Sequence, residues 1–294
     1  MKLHGIFVPV TTPFDRDGEL YQAKVRHNVE KWNLTTLAGY VVTGSTGESV
    51  LLTTEEKLRL WTWVAASAAA EKTLIAGTGA ESVRETVALT NQAAEMGYKA
   101  ALVRTPHYYK NLLNNAAAQT LYFRAVADQA RIPVLIYNIP QATGLDIPAE
   151  AVIELSAHPN IAGIKESSGN GEKLMKMVRH SEPGFQVLGG SAPTLWPSLM
   201  VGAAGAILAV ANAAPYATIA IWEAWRAREY DAAADWQGRI SHASALVTSR
   251  YGIPGLKHAM SLNGYYGGPP RLPLTPPNPE ARREIEDAFR DLKG

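Results

Sequence analysis

Cysteine is absent from all 294 residues. That removes disulfides, thiolate nucleophiles, iron–sulfur clusters and cysteine zinc sites together, and it fits a reducing compartment. Any chemistry must come from oxygen and nitrogen side chains. Net charge is lacking too, since 28 Lys and Arg stand against 27 Asp and Glu. Such a balance argues against a general nucleic-acid or polyanion binder. Locally the lack is sharper: from Pro183 to Trp222, 40 residues contain no Asp, Glu, Lys or Arg. Pro193, Pro197, Pro215, Asn212 and paired glycines interrupt this stretch. It therefore never reaches the roughly 20 uninterrupted apolar residues of a membrane-spanning helix, and burial inside a protein is the better reading. The N-terminal M-K-L-H-G-I-F-V-P-V has only a short apolar run broken by Pro9, with no small-residue cleavage site. It does not read as a secretory signal, so cytoplasm is the expected location.

What is present is apolar and rhythmic. Hydrophobic residues make up 47% of the chain, enough for a substantial core and too many for a disordered chain. Near-continuous apolar runs recur at 6–11, 39–43, 73–77, 100–104, 133–137, 161–165, 185–189 and 205–209. That is how parallel strands covered on both faces read. Between them lie helical periodicities, such as 54–70, where Leu58, Trp61, Val64 and Ala68 fall on one face behind a Thr53…Glu56 capping box. Ser82…Glu85 opens the next helix in the same way. Strand starts are 20 to 34 residues apart, room for one crossover helix each. Eight such units predict an α/β fold, a (β/α)8 TIM barrel, over an open doubly wound sheet, because no Gly-rich phosphate turn follows the first strand. The barrel is expected over 1–228. A C-terminal helical extension packed on it is expected over 229–294, with helices near 231–249 and 254–262 and a last one started by Asn278 and Pro279.

In a barrel, the C-terminal ends of the strands carry function. Lys99 precedes strand four and reads as a solvated surface residue. Lys165, in N-I-A-G-I-K-E-S-S-G, ends strand six after an apolar run. A lysine there loses hydration, which disfavours its ammonium form and suits an amine nucleophile forming a Schiff base with a carbonyl. A lysine paired with a neighbouring carboxylate is the other reading, and position alone does not separate the two. Strand two ends in V-T-G-S-T-G-E-S, where the backbone after Gly44 and the hydroxyls of Ser45 and Thr46 could hold a small carboxylate; ordinary turns look the same. Strand five ends in I-Y-N-I-P, putting the phenol of Tyr137 at the same mouth as a proton relay or as a half-buried aromatic. Strand four ends in R-T-P-H-Y-Y-K, adding Tyr108 and Tyr109, and Arg104 reads equally as a contact for a substrate carboxylate or for a loop acid. An amine, a carboxylate nest and a hydroxyl relay together are what a pyruvate-type Schiff-base lyase needs.

At these residues the chain resembles the dihydrodipicolinate synthase / N-acetylneuraminate lyase family of class I aldolases, over essentially its whole length. G-S-T-G-E-S is similar to the family's G-T-T-G-E loop, and Y-N-I-P and G-I-K-E-S-S-G-N to its tyrosine and Schiff-base lysine motifs. The resemblance implies that Lys165 forms an imine with a 2-oxo acid such as pyruvate and that Tyr137 is the acid/base. Ser45 with Tyr108 would complete a proton relay, the second tyrosine reaching across a dimer interface. Gly44, Ser45 and Thr46 would bind the pyruvyl carboxylate, and Ser167, Gly190 and Ile207 match positions lining the site. It further implies a homotetramer built as a dimer of dimers.

Synthases making the lysine precursor carry an arginine in the turn after strand five, in a pattern like Y-N-V-P-x-R-T-G. Here the chain reads Y-N-I-P-Q-A-T-G, with Ala142 in that place, and a methyl group cannot replace a charge-assisted contact. Nor do Thr54, Lys57, Glu81 and His107 match the lysine-inhibition pocket of feedback-controlled synthases. The tail Y-G-I-P-G-L-K-H-A-M…G-Y-Y-G-G-P-P-R-L-P-L looks most like the 4-hydroxy-2-oxoglutarate aldolase branch. The expected function is therefore cleavage of a 4-hydroxy-2-oxo acid to pyruvate and an aldehyde. Condensation of pyruvate with aspartate semialdehyde is the alternative, and a non-catalytic 2-oxo-acid sensor a further one. Neither cofactor nor metal is expected, since the lysine activates the carbonyl and the seven histidines show no ligand spacing. G-T-G-A-E-S at 77–82 lacks the third glycine of a dinucleotide motif and reads as a loop turn. Trp196, inside the charge-free stretch, reads as a core residue or an oligomer contact.

Overall fold

The computed structural model describes residues 2–292, so Met1, Lys293 and Gly294, the outer limits of the two expected units, lie outside the described residues. Eight parallel strands close into a barrel in chain order, β1 pairing with both β2 and β8. They are β1 Gly5–Pro9, β2 Gly39–Val42, β3 Thr73–Gly77, β4 Ala100–Arg104, β5 Val134–Asn138, β6 Ile161–Glu166, β7 Gln186–Gly189 and β8 Gly205–Ile207. Among the described residues thirteen α-helices follow or separate them, besides shorter 3-10 and π turns: α1 Gln22–Asn33, α2 Thr54–Ser67, α3 Val83–Glu95, α4 Lys110–Leu113, α5 Ala116–Ala127, α6 Pro140–Thr143, α7 Ala149–Ser156, α8 Gly171–His180, α9 Leu195–Met200, α10 Pro215–Ala227, α11 Tyr230–Ala245, α12 Gly252–Leu262 and α13 Pro279–Ala288. The predicted TIM barrel and its C-terminal helices are both present. No helix among the described residues is long and apolar enough to cross a membrane.

Period-two alternation sorts each strand. On β5, Leu135 and Tyr137 join Phe7, Val41, Leu102, Leu188 and Ile207 in the barrel interior, whereas Val134 and Ile136 pack outward on the helices with Phe123 and Val152. The expected strand limits shift by a residue or two, each for a local reason. The first strand stops at Pro9 because the Thr11 N–H turns to the Asn212 side chain, 3.1 Å away, and β8 stops at Ile207 because a 3-10 turn, Ala209–Asn212, takes over. Strands β5 and β6 each run one polar residue further, to Asn138 and Glu166, which pair with each other.

Helix α2 carries its capping box: the Thr53 hydroxyl accepts from the Glu56 N–H, and the Glu56 carboxylate accepts from the Thr53 N–H at 2.9 Å. It buries Leu60, Trp61 and Val64, and Leu58 and Ala68 pack partly covered against the same core, so the expected face is the buried one, widened by Leu60. Such a cap contributes about 1 kcal/mol. Thr53→Ala is therefore expected to lower unfolding free energy by about that amount without changing the denaturant m-value, as read by urea titration. Beyond the barrel, α11 packs on α10 and on the 3-10 turn Ala192–Thr194. It continues through a wider π-type turn, Leu246–Arg250, into α12, which packs on the Ala209–Asn212 turn and α13. Wider turns of this kind are frequent at functional sites, and this one brings Val247, Thr248 and Ser249 to the barrel mouth.

Candidate active site

The β5–β6 register aligns Tyr137 with Lys165, and alternation turns both inward at the top of the barrel. Lys165 is 4% and Tyr137 5% exposed. The Lys165 Nζ lies 4.1 Å from the centre of the Tyr137 ring, which itself belongs to an apolar cluster with Leu135, Leu188 and Ile207. Among the described residues no carboxylate stands within ion-pair distance of Lys165. The acid next to it, Glu166, faces the other way, accepting from the Asn138 amide at 2.9 Å, from the Ser168 N–H at 2.6 Å and from Lys173 at 3.2 Å. Lys173 in turn pairs with Asp146. The reading of Lys165 as half of a mouth salt bridge is therefore replaced: Lys173 takes that part on the outer face, leaving Lys165 to the cavity.

The loop after β2 is held tightly. Its 3-10 turn uses the N–H groups of Gly47 and Glu48, while among the described residues those of Ser45 and Thr46 donate to no protein acceptor. Two non-glycine residues flank the turn in the left-handed region, Thr43 at φ 60° and Glu48 at φ 56°. Conformations of that kind cost about 1–3 kcal/mol and persist where the surroundings impose them. The Thr43 hydroxyl accepts from the Trp61 indole N–H at 2.8 Å. The Thr12 hydroxyl donates to the Gly47 carbonyl at 2.6 Å, and a Cβ at Gly47 would stand 2.9 Å from the Val10 carbonyl oxygen. Only glycine allows that approach.

A cavity of about 500 Å³ joins these strand ends, lined among others by Ser45, Thr46, Tyr137, Lys165, Ser167 and Gly190. Lys165 is the one charged residue in its lining, and the charge-free stretch supplies Gly190 to Pro193 and Ala209. The Ser167 Oγ is buried without a partner. A Cβ at Gly190 would meet that oxygen at 1.9 Å, so glycine is required for the ends of β6 and β7 to close. Ile207 lies in the layer beneath, packed with Tyr137 but outside the lining. Gly44 and Tyr108 border a second cavity of about 360 Å³, which Ser45 and Tyr137 share. Tyr108 is thus near Tyr137 and Ser45 but is not brought beside Lys165. Glu81 fixes its backbone, accepting from the N–H groups of His107 and Tyr108 at 2.8 and 2.9 Å. Arg104 pairs with the same acid at 2.8 Å, so its loop-acid reading holds. Burial works to raise the Glu81 carboxyl, but these N–H donors and Arg104 hold it below its ordinary range. Trp196 is partly buried against the core, its backbone N–H donating to the Gln237 amide oxygen at 2.8 Å while its indole nitrogen is buried without a partner among the described residues.

Other placed groups carry no obvious mark in the sequence. Glu48 and Lys257 form a buried pair at 2.5 Å, and burial pushes the Lys257 ammonium down to about 8 although Glu48 opposes the fall. The signal that could have found Lys257 is its place in G-L-K-H-A-M, on the face of α12 that buries Leu256 and Met260.

A sequence model of the dihydrodipicolinate synthetase family matches residues 2–292. The chain belongs to this family. Among its relatives is a protein described as "Probable 4-hydroxy-2-oxoglutarate aldolase, mitochondrial" from Emericella nidulans, 37% identical over 293 residues that cover 98% of this chain and 94% of that protein. A 4-hydroxy-tetrahydrodipicolinate synthase from Exiguobacterium sp. is 32% identical over 288 residues, covering 98% and 97%. Of solved structures, a dihydrodipicolinate synthase from Bacillus anthracis superposes with a TM-score of 0.94 at 26% identity over the whole of both chains. That from Aquifex aeolicus gives 0.92 at 28% identity over 98% of each. As a member of the dihydrodipicolinate synthetase family the protein is an enzyme, a class I aldolase/lyase.

Proposed function

We propose that this enzyme cleaves 4-hydroxy-2-oxoglutarate to pyruvate and glyoxylate through an imine on Lys165. The observation that carries the reading is a buried lysine without a carboxylate partner, resting on the Tyr137 ring at a cavity whose lining holds no second charge. Lys165 Nζ adds to the C2 carbonyl, and the Tyr137 phenol gives the proton on which the carbinolamine oxygen leaves as water. The free N–H groups of Ser45 and Thr46 hold the C1 carboxylate. With the imine as electron sink, the C4 hydroxyl loses its proton and the C3–C4 bond breaks, releasing glyoxylate. The enamine is protonated at C3, and water then returns pyruvate and the free amine.

Ala142, which lines this cavity, supports that substrate over aspartate semialdehyde. The semialdehyde carries its carboxylate two carbons beyond the reacting carbon and needs a distant cation. Glyoxylate carries its own directly on that carbon, within reach of donors around the lysine. The Ser45–Tyr108 relay belongs to the same proposal. So does a homotetramer: Tyr108 and Tyr109 are 77% and 68% exposed, edge-to-face at 5.1 Å, and Leu112 beside them is exposed, an apolar patch that a second chain would cover. A cytoplasmic location stays part of this reading on the strength of the cysteine-free composition, and subcellular fractionation tests it.

The decisive assay supplies purified enzyme with 4-hydroxy-2-oxoglutarate, with 2-oxo-3-deoxy sugar acids, and with pyruvate plus aspartate semialdehyde. The expected result is a kcat/KM for 4-hydroxy-2-oxoglutarate at least tenfold above the others. Robust turnover of the semialdehyde would replace this reading with the synthase, and no turnover of any would leave a 2-oxo-acid sensor.

A further inference from the structure

The loop after β2 is tied to the C-terminal part of the chain by buried charged residues. Lys257 and Glu48 are both essentially unexposed. Lys257 Nζ reaches the Glu48 Oε1, donates to the Pro269 carbonyl at 2.9 Å and sits 4.5 Å from the centre of the Phe14 ring. The other Glu48 oxygen accepts from the backbone N–H of Arg271 at 2.8 Å. Arg271 is itself fixed by a two-pronged pairing with Glu56, at 2.6 and 2.7 Å, and by donation to the Gly18 and Leu51 carbonyls. A buried ion pair is a poor device for stability, because desolvation offsets its attraction and apolar groups of the same shape often do as well. Yet here it fixes the side chain of a residue whose own backbone is held at φ 56°, at the end of the turn that presents the Ser45 and Thr46 N–H groups.

We propose that Glu48 and Lys257 are positioning residues for substrate binding: their pairing holds the carboxylate-binding turn in its strained shape, so that affinity for the 2-oxo acid depends on it. This rests on the reading of Lys165 and the loop given above. Without the pair, Glu48 is free to leave the left-handed region, and the two N–H groups no longer converge. Chemistry at Lys165 and Tyr137, which stand on β6 and β5, is left in place. The two effects separate in kinetics: loss of ground-state binding appears in KM, and loss of chemistry in kcat.

The test uses the full-length enzyme and pyruvate with sodium borohydride, reading the adduct by intact mass as pyruvate is varied. The double variant Glu48→Gln/Lys257→Met removes both charges together, so that no unpaired charge is left buried. It is expected to raise half-saturating pyruvate and the KM of the aldolase reaction at least tenfold while kcat falls less than threefold. Glu48→Gln alone keeps an oxygen for the Arg271 backbone N–H and removes only the ionic pairing with Lys257. It is expected to raise KM by at least threefold and serves where the double variant does not fold. Thr12→Val, which deletes the hydroxyl donor to the Gly47 carbonyl of the same turn, is expected to shift KM in the same direction. Variants that lose thermal stability but keep wild-type half-saturation, or that lose kcat at unchanged KM, would overturn the proposal. Absence of any pyruvate-dependent adduct on the wild-type enzyme would instead sink the underlying reading of Lys165.

Discussion

Lys165→Ala is expected to lower kcat/KM by at least about 10⁴-fold, a loss of about 5.4 kcal/mol of transition-state stabilisation at 1.36 kcal/mol per decade. The size follows from what the amine supplies. An imine turns the C2 position into an electron sink for breaking the C3–C4 bond, and no other group lining the cavity is a nitrogen nucleophile. Lys165→Arg is expected to be as inactive, because a guanidinium stays protonated and cannot add to a carbonyl. Both variants should also lose the mass adduct left by pyruvate and borohydride on the wild-type protein. Fold stability should not follow activity. Removing an amine that has no carboxylate partner from an apolar layer leaves no unpaired charge, so the melting temperature of Lys165→Ala is expected to stay level or rise. A variant retaining activity within a hundredfold of wild type, or still forming the adduct, would remove Lys165 from the mechanism.

The same physics explains what could be read in advance. Parallel strands covered on both faces have no polar side to break the apolar run, so all eight were visible and the barrel followed. Lys165 was visible for the complementary reason, as a charge at the end of such a run. The ends of β5 and β6 were misjudged because Asn138 and Glu166 look like loop residues. They continue the strands by bonding to each other on the outer face, with Lys173 and Asp146 completing the set. A neighbouring carboxylate in sequence was thus a poor guide to a neighbouring carboxylate in space, since adjacent strand residues point to opposite sides. The core face of α2 is legible from its helical spacing, since Leu58, Trp61, Val64 and Ala68 all pack on the core, and only the burial of Leu60 at its edge comes from the packed partner. Glu48 and Lys257 meet across 209 residues (257 − 48), and nothing local to either names the other. The position of Tyr108 is the remaining case. Its backbone is set by Glu81 and its ring stands exposed, and neither feature is marked in R-T-P-H-Y-Y-K.

Tyr137→Phe is expected to lower kcat by about 10²- to 10⁴-fold, the range for losing a positioned proton donor, with KM changed less than threefold. The ring, which carries the contact to Lys165 and packs with Leu135 and Ile207, is retained, so the amine should keep its place and the barrel its packing. What disappears is the hydroxyl to which the proposed mechanism gives protonation of the departing carbinolamine oxygen and removal of the C4 hydroxyl proton. Imine formation should then become slow rather than absent. Borohydride trapping with pyruvate should still label Lys165, on a time course extended by about the same factor as the loss in kcat, whereas Lys165→Ala should never label. Full labelling at the wild-type rate together with wild-type kcat would mean that the proton comes from elsewhere, and Ser45, which lines both cavities beside Tyr137, would be the next residue to remove.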